Sequence, residues 1–125
     1  MGTVRGIRGA ITVEDAGTQA VSSGTMELLE ELTRLNDCST EDMAAAIFTL
    51  TGDLAGAAPA AVARKHGWEE VPVLQVLEHG GATSVPRCIR VLLLWNTDAP
   101  QSAVRHAYLR EAASLRADVT TARAG

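Results

Sequence analysis

An arginine, Arg90, interrupts the apolar run Cys88-Ile89-Arg90-Val91-Leu92-Leu93-Leu94-Trp95, and this constrains the fold more than any other feature of the chain. The run reads as a strand in which Cys88, Arg90, Leu92 and Leu94 share one face. Taking a guanidinium out of water without a partner is very costly, so buried arginines are rare and paired. The fold must therefore set an anion against Arg90, from another segment or from a ligand. A second arginine, Arg8, lies in the strand-like stretch Thr3–Val13. Alternation there puts Arg5, Ile7, Gly9, Ile11 and Val13 on one face and Val4, Gly6, Arg8, Ala10 and Thr12 on the other. Two strand-borne arginines make a rigid site for a small molecule carrying carboxylates.

The rest of the chain supplies the elements around those strands. Thr18–Leu35 reads as an amphipathic helix, with Val21, Leu28, Leu32 and Leu35 at helical spacing, Met26 and Leu29 widening the stripe, and Asn36-Asp37 ending it. Met43–Thr51 is divided: Ala44-Ala45-Ala46 favours helix, whereas Ile47-Phe48-Thr49-Leu50-Thr51 favours strand, and a strand over at least Ala46–Thr51 is expected. Pro59 suits the first turn of a short helix reaching about His66, with Gly67 as its stop. Val71–Glu78 is a third strand, with Pro72 near its start marking an edge. His79–Pro86, rich in glycine and small residues, reads as a loop and candidate lid. Arg87–Trp95 is the fourth strand, and Val104–Leu109 a short fifth that carries His106 and Tyr108. The order β-α-β-α-β-β plus this last strand predicts an α+β fold, a mixed β-sheet with helices on one face. The uncovered face then calls for a symmetric oligomer.

The 125 residues are the size of one domain, expected over 1–125 with a mobile tail at about 117–125. A net charge of −4 argues against nucleic acid as a partner. The two cysteines, Cys38 and Cys88, fall in a polar connection and an apolar strand, which predicts free thiols and a reducing compartment. His66, His79 and His106 are isolated and there is no Cys-x-x-Cys, so no metal site is expected. With neither a signal-peptide pattern nor an apolar run of membrane-spanning length, the expectation is a cytoplasmic protein without membrane contact.

The polar residues in or beside strands are Arg8, Glu78, Arg90 and Tyr108. They include no nucleophile with a base beside it, no phosphate-binding glycine loop and no dinucleotide fingerprint. An enzyme built on them works by positioning and electrostatics. Each also has a plainer reading. Arg8 is then a surface strand residue, Arg90 an ion-pair partner of Glu78, Glu78 a strand end, Tyr108 a core-edge aromatic and His106 a structural hydrogen bonder. Taken singly, none of these residues identifies a function.

Their combination does more. Val4-Arg5-Gly6-Ile7-Arg8-Gly9-Ala10 with Thr12-Val13-Glu14, then Thr51-Gly52-Asp53-Leu54, Pro59-Ala60 and Arg64, then Val71-Pro72-Val73 and Glu78, resemble in order the monofunctional chorismate mutases of the AroH class. Cys88-Ile89-Arg90-Val91, Thr97-Asp98-Ala99-Pro100-Gln101, Arg105-His106-Ala107-Tyr108-Leu109 and Leu115-Arg116-Ala117-Asp118 complete the resemblance, which runs from about residue 3 to 119.

The resemblance implies a homotrimeric pseudo-α/β barrel with three sites between adjacent subunits. It also implies conversion of chorismate to prephenate by a concerted [3,3] rearrangement, with no cofactor and no metal. Carried over by position, Arg90 contacts the ether oxygen and a carboxylate, and Arg8 holds a carboxylate. Glu78 accepts the ring hydroxyl, and Tyr108 donates to the side-chain carboxylate. Arg64 and Arg116 add positive field, Arg116 from the C-terminal segment. Val73 and Leu115 form an apolar wall, and Ala58, Leu74 and Gln75 take further pocket positions. Ala58 stands where the family usually has Phe, which would leave a roomier or wetter pocket. Two other readings stay open on the sequence: a trimeric binding module for a small carboxylate without turnover, and a purely structural oligomerisation domain.

Overall fold

Alternation in the first ten-residue strand, β1 (Thr3–Thr12), decides the layering. In the computed structural model, which describes residues 2–79 and 85–115, Ile7 and Ile11 are fully buried while Arg8 is exposed on the opposite side. The nineteen-residue helix α1 (Thr18–Asn36) covers the first side, burying Val21, Leu28, Leu29 and Leu32. Asp37 ends this helix in the left-handed conformation, at φ 48° and ψ 48°, with its N–H turned back toward Arg34 O.

The second strand, β2 (Met43–Leu50), starts three residues before the expected Ala46. The helical preference of its alanines loses to pairing with a central strand, and an irregularity between Met43 and Ala45 takes up the mismatch. The seven-residue helix α2 (Pro59–Lys65) begins on proline, and Gly67 stops it at φ 102°. The edge strand β3 (Val73–Leu77) is shorter than the Val71–Glu78 expectation: Val71 N–H bonds Trp68 O in a turn, and Pro72 contributes only a carbonyl, which accepts from Ala46 N–H. The long strand β4 (Cys88–Thr97) carries Arg90, and β5 (Ala107–Leu109) is the short last strand. Val104 precedes β5, buried after a 3-10 turn.

The sheet order is β3-β2-β4-β1-β5. β4 pairs antiparallel with β1 and β2, while β2–β3 and β1–β5 are parallel. It is a mixed sheet with helices on one face, as the element order predicted. The main core lies on the helix side, around Ile7, Ile11, Phe48, Ile89 and Leu93.

Among the described residues the other side carries a small cluster, Ala10, Cys88 and Ala112. Val85, Tyr108 and Leu115 pack on it, the last delivered by a 3-10 turn over Arg110–Leu115. Val4, Leu74, Val76 and Leu92 lie exposed on this side. Most of the glycine-rich loop, Arg116 and the tail fall outside the described residues. Among the described residues no helix is long and apolar enough to cross a membrane.

Candidate active site

Strand register assembles a polar row on the open side of the sheet. Val76 of β3 lies opposite Thr49 of β2, Thr49 opposite Arg90 of β4, Arg90 opposite Ala10 of β1, and Ala10 opposite Tyr108 of β5. The period of two puts Glu78 and Arg8 on the same side, each two residues along from the row. A cleft of about 470 Å³ opens over this row, lined by Arg8, Thr49, Glu78, Arg90, Tyr108 and Leu115, with Ala10 as floor.

The anion demanded by Arg90 is Glu78. Arg90 Nε stands 3.3 Å from Glu78 Oε2, with the side chains 34% and 21% exposed. Nε is buried and has no partner in hydrogen-bond geometry among the described residues, so this contact is an ion pair rather than a closed hydrogen bond. The tighter tie on the same oxygen comes from Thr49, whose hydroxyl donates to Oε2 at 2.6 Å. The ion-pair reading and the site reading of Arg90 therefore coexist: the guanidinium is paired on one edge and still borders the cleft. Two guanidiniums against one carboxylate leave the cleft with excess positive charge, suited to an anionic guest.

Tyr108 lines the cleft, its hydroxyl buried and without a hydrogen-bond partner among the described residues. A buried unpaired hydroxyl costs roughly 1–3 kcal/mol, and such groups collect where a ligand supplies the missing acceptor. Burial pushes its acidity below that of an ordinary tyrosine, with Arg8 and Arg90 opposing, so the group remains a proton donor at neutral pH. The Arg8 guanidinium lies 5.7 Å from the Tyr108 ring centroid, within cation–π range. Burial also raises the pKa of the Cys88 thiol, against the pull of Arg90, so it is no thiolate nucleophile.

Local ties fix the backbone that carries these side chains. Arg8 N–H donates to His106 Nδ1 at 2.9 Å. The Asn36 amide bonds both Arg105 N–H and Arg105 O, clamping the approach to β5 onto the end of α1. At the start of β4, Cys88 N–H donates to the Thr51 hydroxyl, which donates to Asp53. Asp53 also accepts from Arg87 N–H. The Thr51–Asp53 segment thus anchors the strand two residues before Arg90.

Arg8, Glu78, Arg90, Tyr108 and Leu115 come together at this cleft; Ala58, Arg64, Val73, Leu74 and Gln75 do not. Ala58 precedes α2 and borders a second cleft of about 270 Å³ between α1 and α2. Arg64 is exposed in the last turn of α2. Gln75 donates to Ala57 O and accepts from Ala60 N–H, which pins the start of that helix. Val73 packs against the core and Leu74 is 65% exposed on the open side. Arg116 lies outside the described residues. Sequence reasoning missed Thr49 and Ala10, whose only signal was strand parity with Ile47 and with Arg8.

The arrangement holds two guanidiniums, a carboxylate acceptor and a phenol donor around one space. Such a set suits a polyanion that carries a hydroxyl and negative charge that develops on it. Residues 4–119 match the family described as chorismate mutase type I. Chorismate mutase AroH of Thermus thermophilus is 52% identical over 120 residues, covering 95% of this chain and 98% of that protein. Chorismate mutase AroH of Bacillus subtilis strain 168 is 36% identical over 118 residues, covering 94% and 93%. The solved chorismate mutase from Clostridium thermocellum, Cth-682, superposes with a TM-score of 0.83 at 36% identity, covering 87% of this chain and 97% of that one.

Proposed function

The chain belongs to the type I chorismate mutase family, AroH-class isomerases of aromatic amino acid biosynthesis that convert chorismate to prephenate, and from that premise we propose that Arg90, Glu78, Arg8 and Tyr108 carry the conversion. The observation that supports this most is the open cleft in which strand register gathers all four. In the rearrangement one C–O bond breaks as one C–C bond forms within the same molecule. Negative charge grows on the ether oxygen, and Arg90 meets it there while holding a carboxylate. Arg8 and the Tyr108 hydroxyl bind carboxylate oxygens and keep the flexible dianion in its compact chair-like form. Glu78 accepts the ring hydroxyl. Nothing covalent is required of the protein; positioning and fixed charge lower the barrier.

The proposed assembly is a homotrimer with sites between subunits. The exposed Val4, Leu74, Val76 and Leu92 support it, since burying each on a second copy is worth on the order of 1 kcal/mol. In such an assembly Ala58, Arg64, Val73, Leu74 and Gln75 of one copy complete the cleft of the next. Leu115 and Arg116 close it from the C-terminal side. A single domain over 1–125 and a cytoplasmic location are part of the same reading; the unpaired thiols of Cys38 and Cys88 fit a reducing compartment.

The test is loss of chorismate ultraviolet absorbance with purified protein, prephenate identified as product, and Arg90→Ala as control, with sedimentation run alongside. Turnover that nearly vanishes in a variant of unchanged assembly supports the assignment. Parent-like turnover in Arg90→Ala refutes it, and a monomeric active parent refutes the shared site.

A further inference from the structure

We infer that Thr49 is a positioning residue for the rearrangement, acting through Glu78; this rests on the reading that Glu78 accepts the substrate hydroxyl. Thr49 sits between two opposite charges. Its Cα is paired with Arg90 on one side and with Val76, two residues before Glu78, on the other. Its hydroxyl donates to Glu78 Oε2 at 2.6 Å, and Arg90 Nε stands 3.3 Å from that same oxygen without hydrogen-bond geometry. The firm tie on the carboxylate is therefore neutral, and the charged one is loose.

That division has a chemical consequence. Glu78 lies just past the end of an edge strand, its backbone held by a bond from its N–H to Leu50 O at 2.7 Å. Its side chain has three rotatable torsions, and a carboxylate so close to a guanidinium is drawn toward a two-pronged pairing. Such a pairing would occupy the donors Arg90 needs for a dianion and would turn the carboxylate away from a hydroxyl. Thr49 prevents it by satisfying Oε2 with a donor that carries no charge. A β-branched residue in the middle of a paired strand suits the task, because its χ1 is restricted and the hydroxyl stays in place. A valine would keep the shape and lose the tether; a serine would keep the tether.

The test is a kinetic cycle on the full-length protein: Thr49→Val, Thr49→Ser and Thr49→Ala, with Glu78→Gln and the double variant Thr49→Val/Glu78→Gln. The expected result is about a tenfold loss of kcat/KM for Thr49→Val and Thr49→Ala, and a loss within about threefold for Thr49→Ser. Melting temperatures should stay near the parent's, and Thr49→Val should cause no further loss when combined with Glu78→Gln. Thr49→Ala needs no new packing and stands in should the valine variant fail to fold. Parent-like turnover in both Thr49→Val and Thr49→Ala, while Glu78→Gln is impaired, overturns the role of Thr49 alone. So does an undiminished loss on adding Thr49→Val to the Glu78→Gln variant. Parent-like turnover in Glu78→Gln itself overturns the Glu78 reading and this inference with it.

Discussion

Arg90→Lys separates charge from geometry. The substitution keeps a cation on the same strand but replaces a planar fork with donors that radiate from one atom. In the structure Arg90 faces Glu78 Oε2 through Nε at 3.3 Å and also lines the cleft, where the proposed mechanism gives its terminal nitrogens to the guest. An ammonium cannot serve both. Drawn to Glu78 it leaves the cleft; directed into the cleft it can meet the ether oxygen or the carboxylate, with poor reach to the other. One preorganised donor is lost either way, which is worth about 10²–10³ in kcat, or roughly 3 kcal/mol. The retained charge still offsets Glu78, so Arg90→Ala should fall further, since it also leaves that carboxylate facing a dianion. The assay is the initial rate of chorismate loss for parent, Lys and Ala variants at equal oligomeric state. A Lys variant within tenfold of the parent would mean that charge alone suffices and that the two-pronged role is wrong. Equal losses in the two variants would mean that the retained charge contributes nothing.

Two further predictions concern the scaffold. Gly24→Ala in α1 would gain about 1 kcal/mol by helix propensity alone, yet the added Cβ would meet Val13 Cγ1 at 2.5 Å. Val13 is buried, short and stiff, so overpacking of about 1–3 kcal/mol should outweigh the gain, and thermal melting at fixed concentration should show a lowered transition; a raised one would refute the close helix–strand contact. The Thr51 hydroxyl, followed by Arg87 N–H, holds the Asp53 carboxyl below its usual range. A depressed acid stabilises the fold above its unfolded pKa and loses that contribution as pH falls through the folded value. Melting temperature should therefore drop more steeply on acidification below about pH 4 in the parent than in Asp53→Asn, and parallel pH profiles would refute the tie.

The sequence made β1, α1 and β4 legible: alternation in β1 set Arg8 on the face opposite Ile7 and Ile11, and alternation in β4 grouped Arg90 with Cys88, Leu92 and Leu94, while pairing with β1 and β2 decided which side that group occupies. β2 was half legible: its first residues prefer helix locally, and only pairing with β4, which no local pattern reveals, makes them strand. The site divides in the same way. Arg90 was conspicuous because a charge in an apolar run has no other explanation than a partner, and Glu78 proved to be that partner. Thr49 was invisible, since a threonine in a strand is ordinary until register sets it between two charges. Gln75 carries a role the sequence did not show: besides the pocket position proposed for it between subunits, its side chain ties down the start of α2.

The distribution of site residues over the sheet explains where these hidden supports fall. At Arg90, β4 is flanked on both sides by hydrogen-bonded strands, so that residue sits on backbone that needs little further fixing, whereas Arg8 pairs only with Leu92 of β4, since the β1–β5 ladder begins at Gly9. Tyr108 lies on β5 and Glu78 just past the end of β3, the two edges, where one ladder is missing. A concerted rearrangement gains from fixed charge only while that charge stays put, because a donor that must reorganise in the transition state gives back what it contributes. Edge residues therefore need ties the central ones do not, and the structure supplies them: Thr49 on Glu78, and on the β5 side His106 against Arg8 N–H and Asn36 against Arg105. Among residues assigned no contact with substrate, sensitivity to substitution should accordingly concentrate at Thr49, His106 and Asn36.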